Sequence, residues 1–346
     1  MRPLEAKDWD RLTDCLAERG RAVYRVGRKR QSWLNDSLGH WAICSLGDKV
    51  SNERPSDRLW LAYGALAIGV MCIGCSAIFV KIAGAPGPVS AFYRVLVACV
   101  VLVPWRFKRR SLRPSKSDVI LIMAGGVFFA FDLALWNTGL LLTSAATATL
   151  LANTAPLWVG LGSLFLFHEY LSTHYWSGLA IAIAGMSFIV GIDALRRLSL
   201  NTGDGLAIGA SVFYAAYLLT TQRARARVDT LTLMTLSVSS SMVILLLMNL
   251  ILKMPLKGYS IKTWASLAGL GLVSQLGGWL AINYSLGYLR AASVSVCLLG
   301  QPVVTALLSI PILGEYLNLN QIFGGALVLG GIYLVNRQIT KRKQMA

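Results

Sequence analysis

The chain has 346 residues and a formal net charge of +17, yet charged residues make up only 14% of it. An ordinary soluble domain has about 25% charged residues, and the mean hydropathy here is +0.58. These values exclude an ordinary soluble protein and predict a polytopic membrane protein.

Residues 1–57 differ in composition from the rest. They contain 11 Lys and Arg against 9 Asp and Glu, and no long apolar run. A signal peptide needs an apolar core near its N-terminus, and transit peptides are poor in acidic residues. The sequence therefore predicts a cytoplasmic N-terminal extension, either disordered or the product of a misassigned start codon.

From Trp60 onward, ten apolar segments follow one another with brief connectors. Most approach the about 20 residues that span a bilayer as a helix. The fold class predicted is thus an all-α polytopic membrane protein with ten transmembrane helices, at residues 60–82, 89–105, 119–141, 144–167, 174–192, 205–222, 230–251, 264–286, 293–313 and 321–336.

The basic residues lie in the connectors, which argues against nucleic-acid binding. Clusters such as 106–116, 223–227 and the tail 339–346 have the placement of cytoplasmic loops that contact anionic lipid. With the N-terminus inside, inner connectors and flanks hold 16 Lys and Arg and outer ones hold 6. Both termini are therefore predicted to be cytoplasmic, in the plasma (inner) membrane if the source is bacterial.

An internal duplication is visible when the sequence is shifted by 146 positions. Residues 125–190 then align with 271–336 without a gap, and Asn137/Asn283, Pro156/Pro302 and Glu169/Glu315 fall in register. Each copy holds five helices, here residues 58–200 and 201–338, and an odd number makes the second copy enter the membrane from the opposite side. Inverted repeats of this kind are common in secondary transporters, with the substrate site between the halves.

The repeated pattern resembles a known family. A mid-helix Pro, a Glu and an apolar helix with spaced glycines occur as TAPLWVGLGSLFLFHEYLSTHYWSGLAIAIAG and again as GQPVVTALLSIPILGEYLNLNQIFGGALVLGG. Together with FYR at Phe92–Arg94, the pattern over residues 60–336 is similar to that of the EamA family of the drug/metabolite transporter superfamily. The resemblance implies ten helices, cytoplasmic termini and a central cavity that opens alternately to each side.

Two charged residues lie within the predicted spans, where charge is costly and invites a functional reading. Asp132 stands near the middle of helix 3, opposite Gly278 in the second repeat. It is predicted to face the cavity and bind a cationic substrate group or a coupling proton; a structural acid paired with Arg94 is the equal alternative. Arg94 is assigned mainly a structural role, with an anchor for an anionic substrate as the alternative.

Polar and aromatic side chains at helical spacing complete the predicted cavity. Aromatic rings give a cavity its shape, and amides orient a ligand. The predicted substrate-binding set is Ser76, Asp132, Trp136, Asn153, Tyr214, Tyr217, Gln275, Trp279, Asn283 and Gln301. Pro156 and Pro302 are expected to kink helices 4 and 9, and Glu169 and Glu315 to cap the helices that follow them.

Catalysis finds little support in the sequence. The stretch HEYLSTH begins like the zinc motif H-E-x-x-H, but position 172 is Ser, and the second repeat has Gly314 in place of His168. No nucleophile triad or Walker sequence occurs, and Cys72 and Cys75 lie in an apolar run.

These features predict a secondary active transporter of a small metabolite, an amino acid or a related compound, which works by alternating access and is a candidate for proton coupling. The alternative is a lipid scramblase or a non-transporting membrane scaffold. The expected partners are a small-molecule substrate and membrane lipids, without nucleic acid, cofactor or metal, in a monomer or homodimer.

Overall fold

Ten membrane helices, α1 to α10, follow in the order that the apolar segments predict. The computed structural model describes residues 55–108, 114–143, 145–190, 201–313 and 318–344. Almost all of the predicted N-terminal extension lies outside these residues, as does Glu315. Every regular element in the described part of the chain is a helix.

The first repeat contains α1 to α5. The helices are α1 (Pro55–Gly74 continued by Ser76–Ala83), α2 (Gly87–Lys108), α3 (Lys116–Leu142), α4 (Ala145–Ala152 continued by Ala155–Phe167) and α5 (Thr173–Val190).

The second repeat contains α6 to α10. The helices are α6 (Thr202–Arg225), α7 (Thr230–Ile251), α8 (Ile261–Ser285), α9 (Ala291–Leu298 continued by Gln301–Leu313) and α10 (Leu319–Gln344). Within α8, residues Leu270–Gly278 form a π-helix.

Nine segments of the described chain are long and apolar enough to cross a membrane. The remaining helix, α6, is long enough to cross a membrane at 24 residues, but it carries polar side chains such as Ser211 and Thr221. It packs against α3 and α4 of the other repeat, so protein rather than lipid surrounds much of it. A helix in that position does not need an apolar face all round.

Two of the broken helices, α4 and α9, preserve the internal duplication in their backbone. In α4 the break falls at Asn153 and Thr154, and in α9 at Leu299 and Gly300, which are the same positions shifted by 146. Each break lies two residues before the duplicated proline. Proline has no N–H for the carbonyl four residues earlier, so both repeats interrupt the same turn for the same reason.

The α5–α10 interface shows that the repeats are inverted. Gly178 faces Gly331, and Gly185 faces Gly324; a Cβ on Gly178 would lie 2.8 Å from the Gly331 carbonyl oxygen. Gly178 and Gly324 are equivalent positions, as are Gly185 and Gly331. The duplication therefore converts one contact, Gly178–Gly331, into the other, Gly324–Gly185, as a two-fold axis between antiparallel helices requires.

Candidate functional site

A cavity of about 400 Å³ lies between the two repeats. The half-helices of α4 and α9 face each other across it, and α1, α2, α3, α6 and α8 supply the remaining walls. Of the predicted binding residues, those that line it are Ser76, Asp132, Trp136, Asn153, Tyr214, Trp279 and Gln301. The cavity reaches Val190 at the end of α5 and Gln321 at the start of α10, which the sequence places on the outer side.

Asp132 is the acidic group of this cavity. Among the described residues, no hydrogen bond or ion pair to its carboxylate is found, and Arg94 is near enough to act on it electrostatically. Asp132 and Arg94 therefore interact without a direct ion pair, and the alternative of a structural acid stays a prediction. A carboxylate in mid-membrane without a protein partner is costly, which favours a group that meets a proton or a cationic ligand.

Arg94 reaches the same cavity from α2 and is only 6% exposed. Its Nε donates to Gln275 Oε1 at 2.7 Å, and its Nη1 donates to Ser76 Oγ at 3.4 Å. These bonds hold the guanidinium in place, as the predicted structural role requires. They also leave Nη2 without a hydrogen-bond partner among the described residues, on a side chain that lines the cavity.

The π-helix explains why α8 does not present one cavity-facing stripe. Gln275, Trp279 and Asn283 are spaced at i, i+4, which predicts a common face in an α-helix. A π turn holds more residues than an α turn, and Gln275 points to Arg94 in α2 instead. Trp279 alone of the three lines the cavity, and its indole N–H, itself buried, has no acceptor in the described structure.

An aromatic cluster forms the floor of the cavity. The Trp279 ring lies 4.9 Å from Phe129, 5.1 Å from Tyr217 and 5.8 Å from Tyr214, measured between ring centroids. Tyr217 and Asn283 do not line the cavity. They form a buried pair one helical turn deeper, in which the Asn283 amide donates to Tyr217 Oη at 3.0 Å. Their predicted substrate contact is therefore corrected to a role that supports the floor.

At the helix breaks, side chains bond to exposed backbone. Asn153 Nδ2 donates to the Thr149 carbonyl at 2.8 Å, and Thr305 Oγ1 donates to the Gly74 carbonyl at 2.8 Å. Backbone that is not helical is tolerated at membrane depth where it lines a cavity. Pro302 lines the cavity, whereas Pro156 is buried behind it and accepts a hydrogen bond from Tyr175 Oη at 2.7 Å.

A second cavity, of about 660 Å³, lies at the opposite end of the bundle. Tyr175 and Val335 line it, and their repeat counterparts Gln321 and Ile189 line the first cavity. The duplication thus relates the two cavities, and the aromatic floor lies between them.

Two ion pairs between described residues join the repeats, and the first of them, Glu169–Arg290, lines the second cavity. Glu169 Oε2 lies 3.9 Å from Arg290 Nε, and Asp118 Oδ1 lies 2.9 Å from Arg227 Nε. The expected capping of α5 by Glu169 is not found in the described part of the chain, because its carboxylate turns toward α9. The neighbouring His168 ends α4 with φ of 54°, a conformation that favours glycine, and Gly314 occupies that position in the second repeat.

Metal binding has no support in the residues that the structure describes, because no three His, Cys, Asp or Glu side chains there are grouped to hold an ion. His168 and His174 lie in or beside the connector from α4 to α5, remote from the first cavity.

Family comparison identifies the chain. The EamA-like transporter family matches residues 60–191 and again residues 201–337. The chain belongs to this family. It is accordingly an integral membrane protein built from two EamA repeats, as the duplicated Pro and Glu pattern indicates.

Curated relatives of this EamA protein are named as transporters rather than enzymes. An uncharacterized transporter of Bacillus subtilis, YdfC, is 22% identical over 74% of this chain and 83% of its own length. An uncharacterized transporter of Archaeoglobus fulgidus is 26% identical over 70% of this chain and 86% of its own. A probable terminal-alkyne amino-acid exporter of Streptantibioticus cattleyicolor is 26% identical over 73% and 85%.

One solved crystal structure has the same fold. It superposes with a TM-score of 0.65 at 22% identity and covers 79% of this chain and 98% of its own. At that identity the likeness concerns the fold alone.

Proposed function

We propose that this EamA protein is a secondary active transporter of small metabolites of the amino-acid class, and that it works by alternating access. The observation that carries the proposal is the cavity between the repeats, into which Asp132 presents a carboxylate without a protein partner. A relative named as a probable amino-acid exporter supports the substrate class.

Asp132 is the candidate for proton coupling. A carboxylate in the membrane is stabilised when it binds either a proton or a cationic group, so the two compete for the same oxygens. Because proton and solute compete at Asp132, a transmembrane pH gradient can then drive transport of the solute. The protein would act in the plasma membrane with both termini cytoplasmic, as a monomer or homodimer, in agreement with the placement of its basic connectors.

The test uses the purified full-length protein in liposomes with an imposed pH gradient and labelled L-leucine or L-phenylalanine. Asp132→Asn should abolish gradient-driven uptake while expression is unchanged. Asp118→Asn is the matched control, because it makes the same chemical change in an ion pair outside the cavity. Gradient-driven uptake by Asp132→Asn at the wild-type rate would refute the proton role.

A carrier, a scramblase and a scaffold give different results in the same liposomes. Saturable uptake that follows the gradient supports the carrier. Exchange of labelled lipid between leaflets without solute uptake would overturn the proposal in favour of a scramblase, and neither activity would indicate a scaffold.

A further inference from the structure

The cavity carries two opposite charges that act on each other electrostatically but are not in direct contact. Arg94 and Asp132 both line it, and in the described structure they form no direct ion pair. Buried opposite charges normally pair, because an isolated charge in a medium of low dielectric constant is strongly destabilising. A ligand that enters the cavity and carries both charges would satisfy the two groups directly.

Arg94 is held as a fixed donor rather than as a mobile side chain. Gln275 accepts from Nε, and Ser76 accepts from Nη1. A guanidinium fork is suited to a carboxylate because its planar N–H groups match two oxygens. With two nitrogens restrained by the protein, Nη2 is oriented in advance and loses little freedom when it binds.

Trp279 provides a second and independent indication of an acceptor at this wall. It is 3% exposed and lines the cavity, and its Nε1–H has no acceptor among the described residues. The amide nitrogen of Gln275, which lies behind this wall, is also buried without an acceptor among the described residues. Buried donors in proteins are nearly always satisfied, so a cavity wall in which the Trp279 N–H has no acceptor in the described chain and Arg94 presents its guanidinium is complementary to an anionic oxygen.

We propose that the cavity recognises a zwitterion by its two poles, with the substrate carboxylate at Arg94 and Trp279 and the substrate ammonium at Asp132. Arg94, which sequence reasoning assigned mainly to structure, thereby becomes a specificity-determining residue. The inference rests on the proposed function and specifies its substrate class: a molecule with both charges on one small framework and an apolar side chain against Phe129 and Trp136.

The arrangement separates three related ligands. An α-amino acid satisfies both poles, the amine that lacks its carboxylate leaves the Arg94 pole unmet, and the acid that lacks its amine leaves Asp132 unmet. A buried polar site discriminates strongly against an analogue that leaves one of its groups unpaired. One lost charged hydrogen bond corresponds to about tenfold in affinity or more.

The test measures binding, without any gradient, to the full-length protein in detergent. The probes are L-leucine, 3-methylbutylamine and 4-methylpentanoate, with L-phenylalanine, phenethylamine and 3-phenylpropanoate as a second series. The wild type should bind each amino acid at least about tenfold more tightly than its amine or its acid. Equal affinity for an amino acid and its amine, or absence of binding by both amino acids, would overturn the inference.

Substitutions at Arg94, Asp132 and Trp279 test which residue binds the substrate carboxylate and which binds its ammonium group. Arg94→Gln should reduce affinity for the amino acid to that for the amine, and Asp132→Asn should reduce it to that for the acid. Trp279→Phe keeps an aromatic side chain but removes the N–H together with part of the indole, so it should weaken binding of the amino acid and the acid more than binding of the amine. Trp136→Phe is its control, since Trp136 is also in the wall, and it should change all three affinities by the same factor.

Two further results separate a failure of the zwitterion assignment from a failure of folding or of the transporter proposal. If Arg94→Gln does not fold, Trp279→Phe still tests the carboxylate pole, and a Trp279→Phe that shifts all three ligands equally would refute it. If the liposomes show gradient-driven uptake of amines or of carboxylates rather than of amino acids, the transporter proposal stands and the zwitterion assignment fails.

Discussion

Gly330 and Gly331 are neighbours in α10 and offer a test of the inverted packing. A Cβ at Gly331 would lie 2.8 Å from the Ala182 backbone nitrogen and 2.9 Å from the Ala182 Cβ in α5, whereas a Cβ at Gly330 would meet nothing within 4 Å. We therefore expect Gly331→Ala to force the two helices apart and Gly330→Ala to be accommodated.

The size of the difference follows from the geometry. The contact at Gly331 would be about 0.6 Å closer than the 3.4 Å at which ordinary contact begins, and the atom that it meets is backbone, which cannot rotate away. Overpacking of this kind costs about 1–3 kcal/mol. Both substitutions share the gain in helix propensity of up to about 1 kcal/mol, so their difference isolates the packing term.

The assay is thermal unfolding of the two purified variants and the wild type in the same detergent, followed by tryptophan fluorescence. Gly330→Ala should unfold at or slightly above the wild-type temperature, and Gly331→Ala several degrees below it. Because membrane proteins unfold irreversibly, the three scans are compared at one heating rate. Equal unfolding temperatures for the two variants would refute the close α5–α10 contact and the two-fold axis drawn from it.

Two further predictions concern the ion pairs and the breaks. Arg227→Gln removes the 2.9 Å pair with Asp118; because Arg227 is half exposed, the loss should be below about 1 kcal/mol, and the difference in unfolding temperature from the wild type should shrink in 1 M salt. A difference that persists at high salt would contradict an ionic origin. Pro302→Ala restores a backbone N–H at the break in α9, so transport in liposomes should slow while expression is kept, and unchanged uptake would show that the proline is dispensable for movement.

Sequence reasoning predicted the scaffold well because the scaffold is repeated. Pro156 and Pro302 stand in register within apolar sequence, and the structure breaks both helices at equivalent residues. The count of ten spans came from the apolar segments themselves, although α6 is too polar to qualify as a span by length and hydropathy. The duplication supports that count, because each repeat contributes the same five helices.

The position of a side chain along the helix axis was harder to predict than the direction in which the side chain points. Tyr214 and Tyr217 share a face of α6 at i, i+3 spacing, yet only Tyr214 lines the cavity. Periodicity reports which way a side chain points, but not where the cavity ends along the axis. Asn283 was misplaced for the same reason, one turn below Trp279.

The π-helix was not predicted from the sequence, because the sequence pattern that indicates one is weak. The stretch LGLVSQLGG contains three glycines, which ease a wider turn but are common throughout membrane helices. The residues equivalent to it in the first repeat, 124–132, lie within the continuous helix α3. A repeat comparison therefore predicts an ordinary helix in α8, and only the packing of Gln275 against Arg94 shows otherwise.

The residues that break the duplication are the ones to which we assign the substrate. Asp132 corresponds to Gly278, and Trp279 corresponds to Leu133, so neither pole of the cavity has a copy across the two-fold axis. The prolines and the α5–α10 glycines, by contrast, are kept in both repeats. A carrier must let its two halves exchange conformations, which requires a symmetric scaffold. It must also bind a molecule that has no two-fold axis, and a binding site made of equivalent residues would present the same group twice. An amino acid carries one cation and one anion, and a cavity that breaks its symmetry with one carboxylate and one guanidinium fits such a ligand better than a symmetric site could.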